Sequence, residues 1–371
     1  MKLFEFDGGS FRSLQSVPAK APENGFVWAY LERDQLGGEL DALQRVAEQL
    51  GGSLLLDVHV QDLVNAAHPS DYDATSVYDR VIFRRLATEQ ERRALASPGG
   101  RNTASALIRI DSRAIGFVVF DRLIVSVHNP GCDSARVVLE RIAAHARLGD
   151  QGAVLRPGVP QTPAELALRM ITLEVDGYLA LRKELTDALE TAQNRLLRPR
   201  PLQGAWAGLM NTRQQLRLLQ GLCDEQQDAI QEWLDDVREQ PLSSYAAEVR
   251  FAQHARDQLI ARARDVMEHI DRVLRQAHQL EQTCETLVQM HFSAQNQRTN
   301  DIMLALTAIT AVFLPLNLFT GFFGMNFEHL PLIHSSALIM WSTLAAMVVL
   351  VVVMLAWLWR LHYLAPRTQG E

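Results

Sequence analysis

Between Leu242 and Leu314 the sequence contains neither glycine nor proline. Nothing in that stretch stops a helix, and at about 1.5 Å per residue it predicts a rod of roughly 110 Å. Apolar or small residues recur along it at Leu259, Ala263, Val266, Ile270, Val273, Ala277, Leu280, Cys284, Leu287 and Ala294. The steps alternate four and three, and only His291 interrupts them. That heptad seam predicts a face packed against other helices. The rod then turns apolar. Residues 302–323 carry no Asp, Glu, Lys or Arg, a length that crosses ~30 Å of hydrocarbon. Residues 338–359 form a second uncharged apolar segment. The connection between them is too short for a folded domain, so the two segments predict a membrane hairpin.

Charge orients the hairpin. The connection holds no Lys or Arg, whereas Arg298 precedes the first span and Arg360 and Arg367 follow the second. The positive-inside bias places both termini in the cytosol. The first residues, Met1-Lys2-Leu3-Phe4-Glu5-Phe6-Asp7, have no apolar core of a cleavable signal. The expected location is the inner (plasma) membrane, with multiple passes. A net charge of −7 disfavours a nucleic-acid partner and suits a body that attracts cations. Cys132, Cys223 and Cys284 are far apart and form no Cys-x-x-Cys pair, so they read as small buried hydrophobes in a reducing compartment. The sequence shows no nucleophile–base set, phosphate loop or metal-spaced Cys cluster, so an enzyme is not expected.

Ahead of the rod, residues 1–160 read as a mixed α/β domain. β-rich runs fall at 26–31, 80–86, 106–110, 114–120 and 123–127, with Asp121-Arg122 as a tight hairpin connection. Helical stretches fall at 39–50 and 55–66. Gly8-Gly9 and Gly99-Gly100 read as loops. Thr162-Pro163-Ala164-Glu165 is a helix start: Thr162 caps, Pro163 fits the first turn, and Glu165 reaches back. That helix is expected to reach about Leu197, and a second one to run over 206–238.

The first apolar span is not uniformly apolar. Asn300, Met303, Thr307, Thr310, Leu314, Asn317, Gly321 and Gly324 share one stripe at three–four spacing. Polar groups in lipid are costly, so the stripe faces a bundle interior or water; helix–helix contact is the alternative reading. The stripe continues downward through Asn296, Ser293, Gln289, Thr286, Gln282, Gln279, Arg272, Glu268 and Asp265, opposite the heptad seam. A wet face continuous with a polar membrane stripe suggests a funnel leading to a pore. Two spans cannot enclose a path, so a cyclic homo-oligomer is implied.

Directly after the first span stands Phe323-Gly324-Met325-Asn326-Phe327-Glu328. The Gly-Met-Asn triplet in that position resembles the signature of the CorA family of magnesium channels. Leu314-Pro315-Leu316, Gly321, the loop length, the long helix and the α/β domain extend the resemblance over essentially the whole chain. It implies a funnel-shaped homopentamer whose long helix lines the pore. It implies a ring of Asn326 side chains at the outer mouth, with Gly324 allowing a close turn and Met325 structural. Neutral oxygen acceptors suit a hydrated Mg²⁺, which dehydrates reluctantly. The positions matching the family's pore face are Asn317, Leu314, Thr310, Leu306 or Thr307, Met303 and Asn300. Of these, Met303 and Leu306 are expected to form a hydrophobic constriction that closes by dewetting.

The resemblance also implies regulatory acidic residues, for which Asp57, Asp62, Asp71, Asp73 and Glu268 are candidates. The outer loop departs from the magnesium pattern. Pro331 is followed by Leu332 where the family usually has a Pro-Glu pair, Glu328 is the loop's only acid, and Phe323 stands where Tyr is common. A related branch, typified by the ZntB zinc transporters, uses the same architecture; resemblance to it implies zinc uptake coupled to protons, and His329 and His334 in the loop suit zinc better than magnesium. A non-conducting tether or sensor is the reading from another class. The expected organisation is a cytosolic α/β domain (1–160), a cytosolic helical stalk (161–300), a pore-lining span (301–323), a periplasmic loop (324–337), a second span (338–360) and a cytosolic tail (361–371). The expected partners are other copies of the chain, the lipid bilayer and divalent cations, with no resident cofactor.

Overall fold

The computed structural model describes residues 1–7, 10–88, 91, 109–149, 159–196, 205–239, 246–325 and 337–360. They divide into two compact units, residues 1–285 and 286–371.

The first unit is built on a seven-stranded mixed sheet. Its strands are β1 (Lys2–Asp7), β2 (Ser10–Leu14), β3 (Gly25–Glu32), β4 (Asp71–Ala74), β5 (Asp79–Leu86), β6 (Ser112–Val119) and β7 (Leu123–His128), in the order β2-β1-β3-β7-β6-β5-β4. Only the β3–β7 pair is parallel. The central strands are buried on both faces, which is why Phe26–Leu31 is an unbroken apolar run rather than an alternating one. Val27, Ala29 and Leu31 join a core under α1 (Leu36–Val46, prolonged by a π-turn over Ala47–Gly51) and α2 (Asp57–Val64). Phe26, Trp28 and Tyr30 point the other way. Trp28 is fully buried, and its indole N–H donates to Ser126 Oγ at 2.7 Å. Gly25 is required by close approach: a Cβ there would stand 1.8 Å from the Phe6 carbonyl oxygen.

Four expected strands are present within a residue or two of their predicted ends, and the Asp121-Arg122 hairpin closes with Phe120 N–H donating to the Leu123 carbonyl at 2.8 Å. Of the expected run 106–110, residues 106–108 lie outside the described residues and 109–110 carry no strand. The two glycine pairs read as loops also lie outside them. The helix predicted from Thr162 onward is two helices, α4 (Pro163–Asp176) and α5 (Tyr178–Leu196), broken at Gly177, a weak helix former. Thr162 caps as expected, with Oγ1 accepting from Glu165 N–H at 3.2 Å. The Glu165 carboxylate returns to the Gln161 N–H at 2.8 Å, one residue earlier than a standard capping box. Helix α3 (Ser134–Gly149) precedes these, and α6 (Ala205–Glu239) follows.

The long helix, α7, runs over Ala246–Gly324, 79 residues. Ala263, Val266, Ile270, Val273, Ala277, Leu280, Cys284 and Leu287 of its seam are all buried. Within 1–285, Arg213 and Arg217 of α6 both reach Glu281 of α7, at 3.7 and 2.9 Å. The three thiols are free and buried, and burial pushes Cys223 up to about 12 and Cys284 up to about 11, so none is a ready nucleophile or ligand.

The second unit comprises the rest of α7 and α8 (Ala337–Arg360, 24 residues). Among the described residues one helix is long and apolar enough to cross a membrane. An 18-residue stretch of it has mean hydropathy 2.1 and is 6% buried. In α8 the described apolar stretch is Leu344–Trp357.

Candidate functional site

The stripe singled out in the sequence lies on one exposed face of α7. Asn300, Met303, Leu306, Thr307, Thr310, Leu314, Asn317, Gly321, Gly324 and Met325 are all exposed in the single chain. Burial falls elsewhere on the same helix: Ala308 is buried, and Leu304, Ala311, Val312, Pro315 and Leu316 are half-buried. On α8 the half-buried positions are Met347, Leu350, Val351 and Met354, again one stripe. Among the described residues, packing within the unit therefore leaves the polar face uncovered. Pro315 sits inside α7 without ending it.

The polar side chains on this face are bonded in a particular sense. Thr307 Oγ1 donates to the Met303 carbonyl at 2.8 Å, and Thr310 Oγ1 to the Leu306 carbonyl at 2.9 Å. Each hydroxyl proton is thus used on the helix's own backbone. What the hydroxyl presents outward is oxygen lone pairs, which suit a cation or the hydrogens of its hydration shell. Met303 and Leu306 lie on the same face and offer only apolar surface.

At the end of the span, the Met325 N–H turns back to the Phe322 carbonyl at 3.4 Å. A Cβ added at Gly321 or Gly324 would meet nothing within 4 Å, and neither residue has a positive φ. Nothing in the described part of this chain demands glycine at either place. Asn326, Glu328, His329 and His334 lie outside the described residues.

The candidate regulatory acids separate into two kinds. Asp57 is exposed in the first turn of α2, and Glu268 is exposed and pairs with Arg272 one turn on, at 3.0 Å. Asp62, Asp71 and Asp73 are brought together, but around a cation. Buried Arg80 lies 2.5 Å from Asp71, 3.6 Å from Asp62 and 3.9 Å from Asp73. The β4–β5 pairing sets Asp73 directly opposite Arg80. Two histidines complete the group. His68 Nε2 is 3.4 Å from Asp62, and His59 Nε2 is 2.9 Å from Asp73. Tyr78 Oη accepts the Leu56 N–H at 3.0 Å and lies 2.9 Å from His59 Nδ1. Its own proton is then available to Nδ1, which leaves Nε2–H to face Asp73. A guanidinium already fills the middle of these carboxylates. Among the described residues no group of three or more His, Cys, Asp or Glu is placed to hold a metal ion.

Sequence reading missed two polar groups, one buried and one half-buried. Arg85, fully buried, makes a two-pronged contact with Glu91 at 2.8 and 2.6 Å and lies 3.9 Å from Glu174. Asp79 at the start of β5 is held near Asp236 of α6, beside the stacked rings of Tyr72 and Trp233 (centroids 6.4 Å apart). Burial first, and the Asp236 charge second, push the Asp79 carboxyl up to about 6. The indole and phenol bear on Asp79, although neither Trp233 Nε1 nor Tyr72 Oη makes a hydrogen bond of good geometry. A strand with charges near both ends, Asp-Arg-Val-Ile-Phe-Arg-Arg-Leu, was the available signal: a buried strand carries such residues only when partners await them.

Comparison with known proteins adds the following. The family model described as CorA-like Mg2+ transporter protein matches residues 24–360. Over 68 residues the chain is 32% identical to the cobalt/magnesium transport protein CorA of Thermotoga maritima; the aligned stretch is 18% of this chain and only 19% of that relative. The complete structure of the CorA magnesium transporter from Methanocaldococcus jannaschii matches with a TM-score of 0.70 at 14% identity, covering 97% of this chain and 98% of the other. The structure of the full-length CmaX protein matches with a TM-score of 0.57 at 16% identity, covering 97% and 96%. At these identities the two structures speak for the fold alone, and they match its α/β body and its long helix together.

Proposed function

The chain belongs to the family of CorA-like Mg2+ transporter proteins, and from that premise we propose that it is an inner-membrane channel or transporter for divalent metal cations, Mg²⁺ foremost. In this reading it works as a homopentamer. Residues 301–323 of α7 line the pore, α8 is the outer span, and both termini are cytosolic. Asn326, following Gly324 and Met325, forms the ring at the outer mouth. Asn317, Thr310, Thr307 and Asn300 are successive oxygen-bearing levels, and Met303 and Leu306 are the apolar constriction between them.

One observation carries the proposal. The face of the apolar part of α7 that combines Asn and Thr side chains is exposed among the described residues, and its Thr hydroxyls spend their protons on the helix's own backbone. Lipid offers such a face nothing, whereas a water-filled axis shared with other copies does. The tether reading requires no such face.

The test is ion entry into liposomes holding the purified protein, followed for Mg²⁺ and Zn²⁺ with and without an imposed pH gradient. The expected result is Mg²⁺ entry that follows voltage, ignores the pH gradient and is lost in Asn326→Ala. Zinc entry that tracks the proton gradient, with little Mg²⁺ entry, moves the protein to a proton-coupled zinc transporter. Absence of flux for both ions would leave the tether reading and end this one.

A further inference from the structure

Within residues 1–285 a cavity of about 220 Å³ opens where α3, α4 and α7 meet, and nothing in the transport reading uses it. Arg141 of α3, Arg169 of α4 and Arg262 of α7 all line it. Three guanidiniums around one small space repel each other unless enough negative charge is present.

The negative charge present is short of that. Arg169 Nη2 and Arg262 Nη2 share a single oxygen of Glu165, at 2.7 and 3.0 Å. The other Glu165 oxygen already accepts the Gln161 N–H. Arg169 Nε is buried without an acceptor. Arg141 makes no ion pair or hydrogen bond with any described residue. Asp265, the one acid lining the cavity, lies 3.8 Å from His269 on its own helix. The Arg169 pKa reflects the same shortage. Burial lowers it, Glu165 restores only part, and the charge of Arg262 lowers it further.

The rest of the wall is mostly apolar, with Val138 and Ile142 buried and Leu173 and Thr172 beside them. Arg169 stands against this apolar wall and is the least screened of the three, whereas exposed Arg141 and Arg262, 39% exposed, reach the cavity from its solvent side. Guanidinium forks match paired oxygens of phosphate or carboxylate better than they match a spherical ion such as chloride.

We propose that the cavity between α3, α4 and α7 binds a small phosphate-bearing anion, with Arg141, Arg169 and Arg262 holding its oxygens. The phosphate is either free or carried on a small organic body that rests on Val138, Ile142 and Leu173. Because the three arginines come from three helices, a bound phosphate ties α7 to α3 and α4 within this unit.

The test is isothermal titration calorimetry on the full chain in detergent, with inorganic phosphate and phenyl phosphate as probes. The expected result is one saturable site per chain, weakened at least tenfold in Arg141→Gln and in Arg262→Gln. Arg217→Gln, which alters a guanidinium on α6 paired with Glu281, is expected to bind as the parent does. Tight binding of inorganic phosphate identifies the free ion, and binding of phenyl phosphate alone identifies an organic phosphate. Arg262→Gln also removes a partner of Glu165, so its melting curve is taken alongside. Arg141→Gln breaks no ion pair or hydrogen bond with any described residue and stands as the clean variant. Lack of saturable binding of both probes to the parent protein, or undiminished binding in both variants, overturns the proposal.

Discussion

The two units use the same apolar residue types in opposite ways. In residues 1–285, Leu31, Trp28 and Phe83 are turned inward and nearly or wholly removed from solvent. In residues 286–371, Ile302, Leu314 and Leu318 are 69%, 65% and 69% exposed. A folded unit that leaves large aliphatic side chains outward along a whole helix is not finished by itself. The first unit carries its own core and its own buried ion pairs. In the proposed reading, the second depends on lipid and on further copies for its surroundings. Folding stability is therefore expected to reside in the first, and sensitivity to assembly in the second.

The comparison breaks hardest at Arg85. Replacing it by Met leaves the Glu91 and Glu174 carboxylates buried without their cation, a loss of about 3–5 kcal/mol. Arg85 holds Glu91 below its ordinary range against the upward push of burial. Without Arg85 that carboxyl can take up a proton as pH falls. The loss measured by urea unfolding is therefore expected to be larger at pH 7.5 than at pH 5.

A matched pair of leucines sharpens the contrast. Leu31→Ala is expected to cost about 2–5 kcal/mol in the unfolding of the first unit, whereas Leu318→Ala should leave that transition within ~0.5 kcal/mol. A large shift from Leu318→Ala in the same melt would mean that the two units unfold as one.

Function should show the reverse sensitivity. Leu306→Ser places a hydroxyl at the proposed constriction and should raise resting Mg²⁺ entry about tenfold, equivalent to ~1.4 kcal/mol off the barrier. The melting curve of the first unit should not move. Unchanged flux in that variant would remove Leu306 from the constriction.

The smallest effect concerns pH. Asp79 is raised to about 6 in the folded chain, from an ordinary value of 3.8. The folded state therefore binds this proton more tightly than the unfolded state does. The contribution is fully present below about 3.8 and is lost as pH rises through about 6. Asp79→Asn, which keeps the group neutral, should raise the melting temperature at pH 7.5 by a few degrees, about the shift that ~1 kcal/mol gives, and change it little at pH 4.

What could be read in the sequence follows the same division. The seam from Ala263 to Leu287 was legible because one helix repeats a spacing over many turns, and repetition is a strong signal. Strands β3, β5, β6 and β7 were legible as apolar runs bounded by turn residues. The β1–β2 hairpin was not, because β2 is a largely exposed edge strand with little apolar pattern. Strand β4, Asp-Tyr-Asp-Ala, is a strand only because β5 offers it a partner. Helix α3 was also passed over, although Val138 and Ile142 keep helical spacing.

The polar stripe of α7 could be named as one face, since a helix fixes which residues are neighbours. The acids near Asp71 could be named but not interpreted. Their meaning depends on Arg80, which a strand pairing brings opposite Asp73, and on His59 from α2. A sequence does not show such convergence, because it is set by which strands pair and which helix packs there. The Arg141, Arg169 and Arg262 group was hidden for the same reason, with its members spread over three helices.

Thr307 and Thr310 each give their one hydrogen to the backbone of the helix that carries them. In a corridor built from several such helices, an ion would pass oxygens that can accept but have nothing left to donate. An anion would find no hydrogen to lean on at those levels, while a positive ion or its water shell would be met at each. At those two levels the preference for positive charge can thus come from where two hydroxyl protons go, with no acidic side chain needed there.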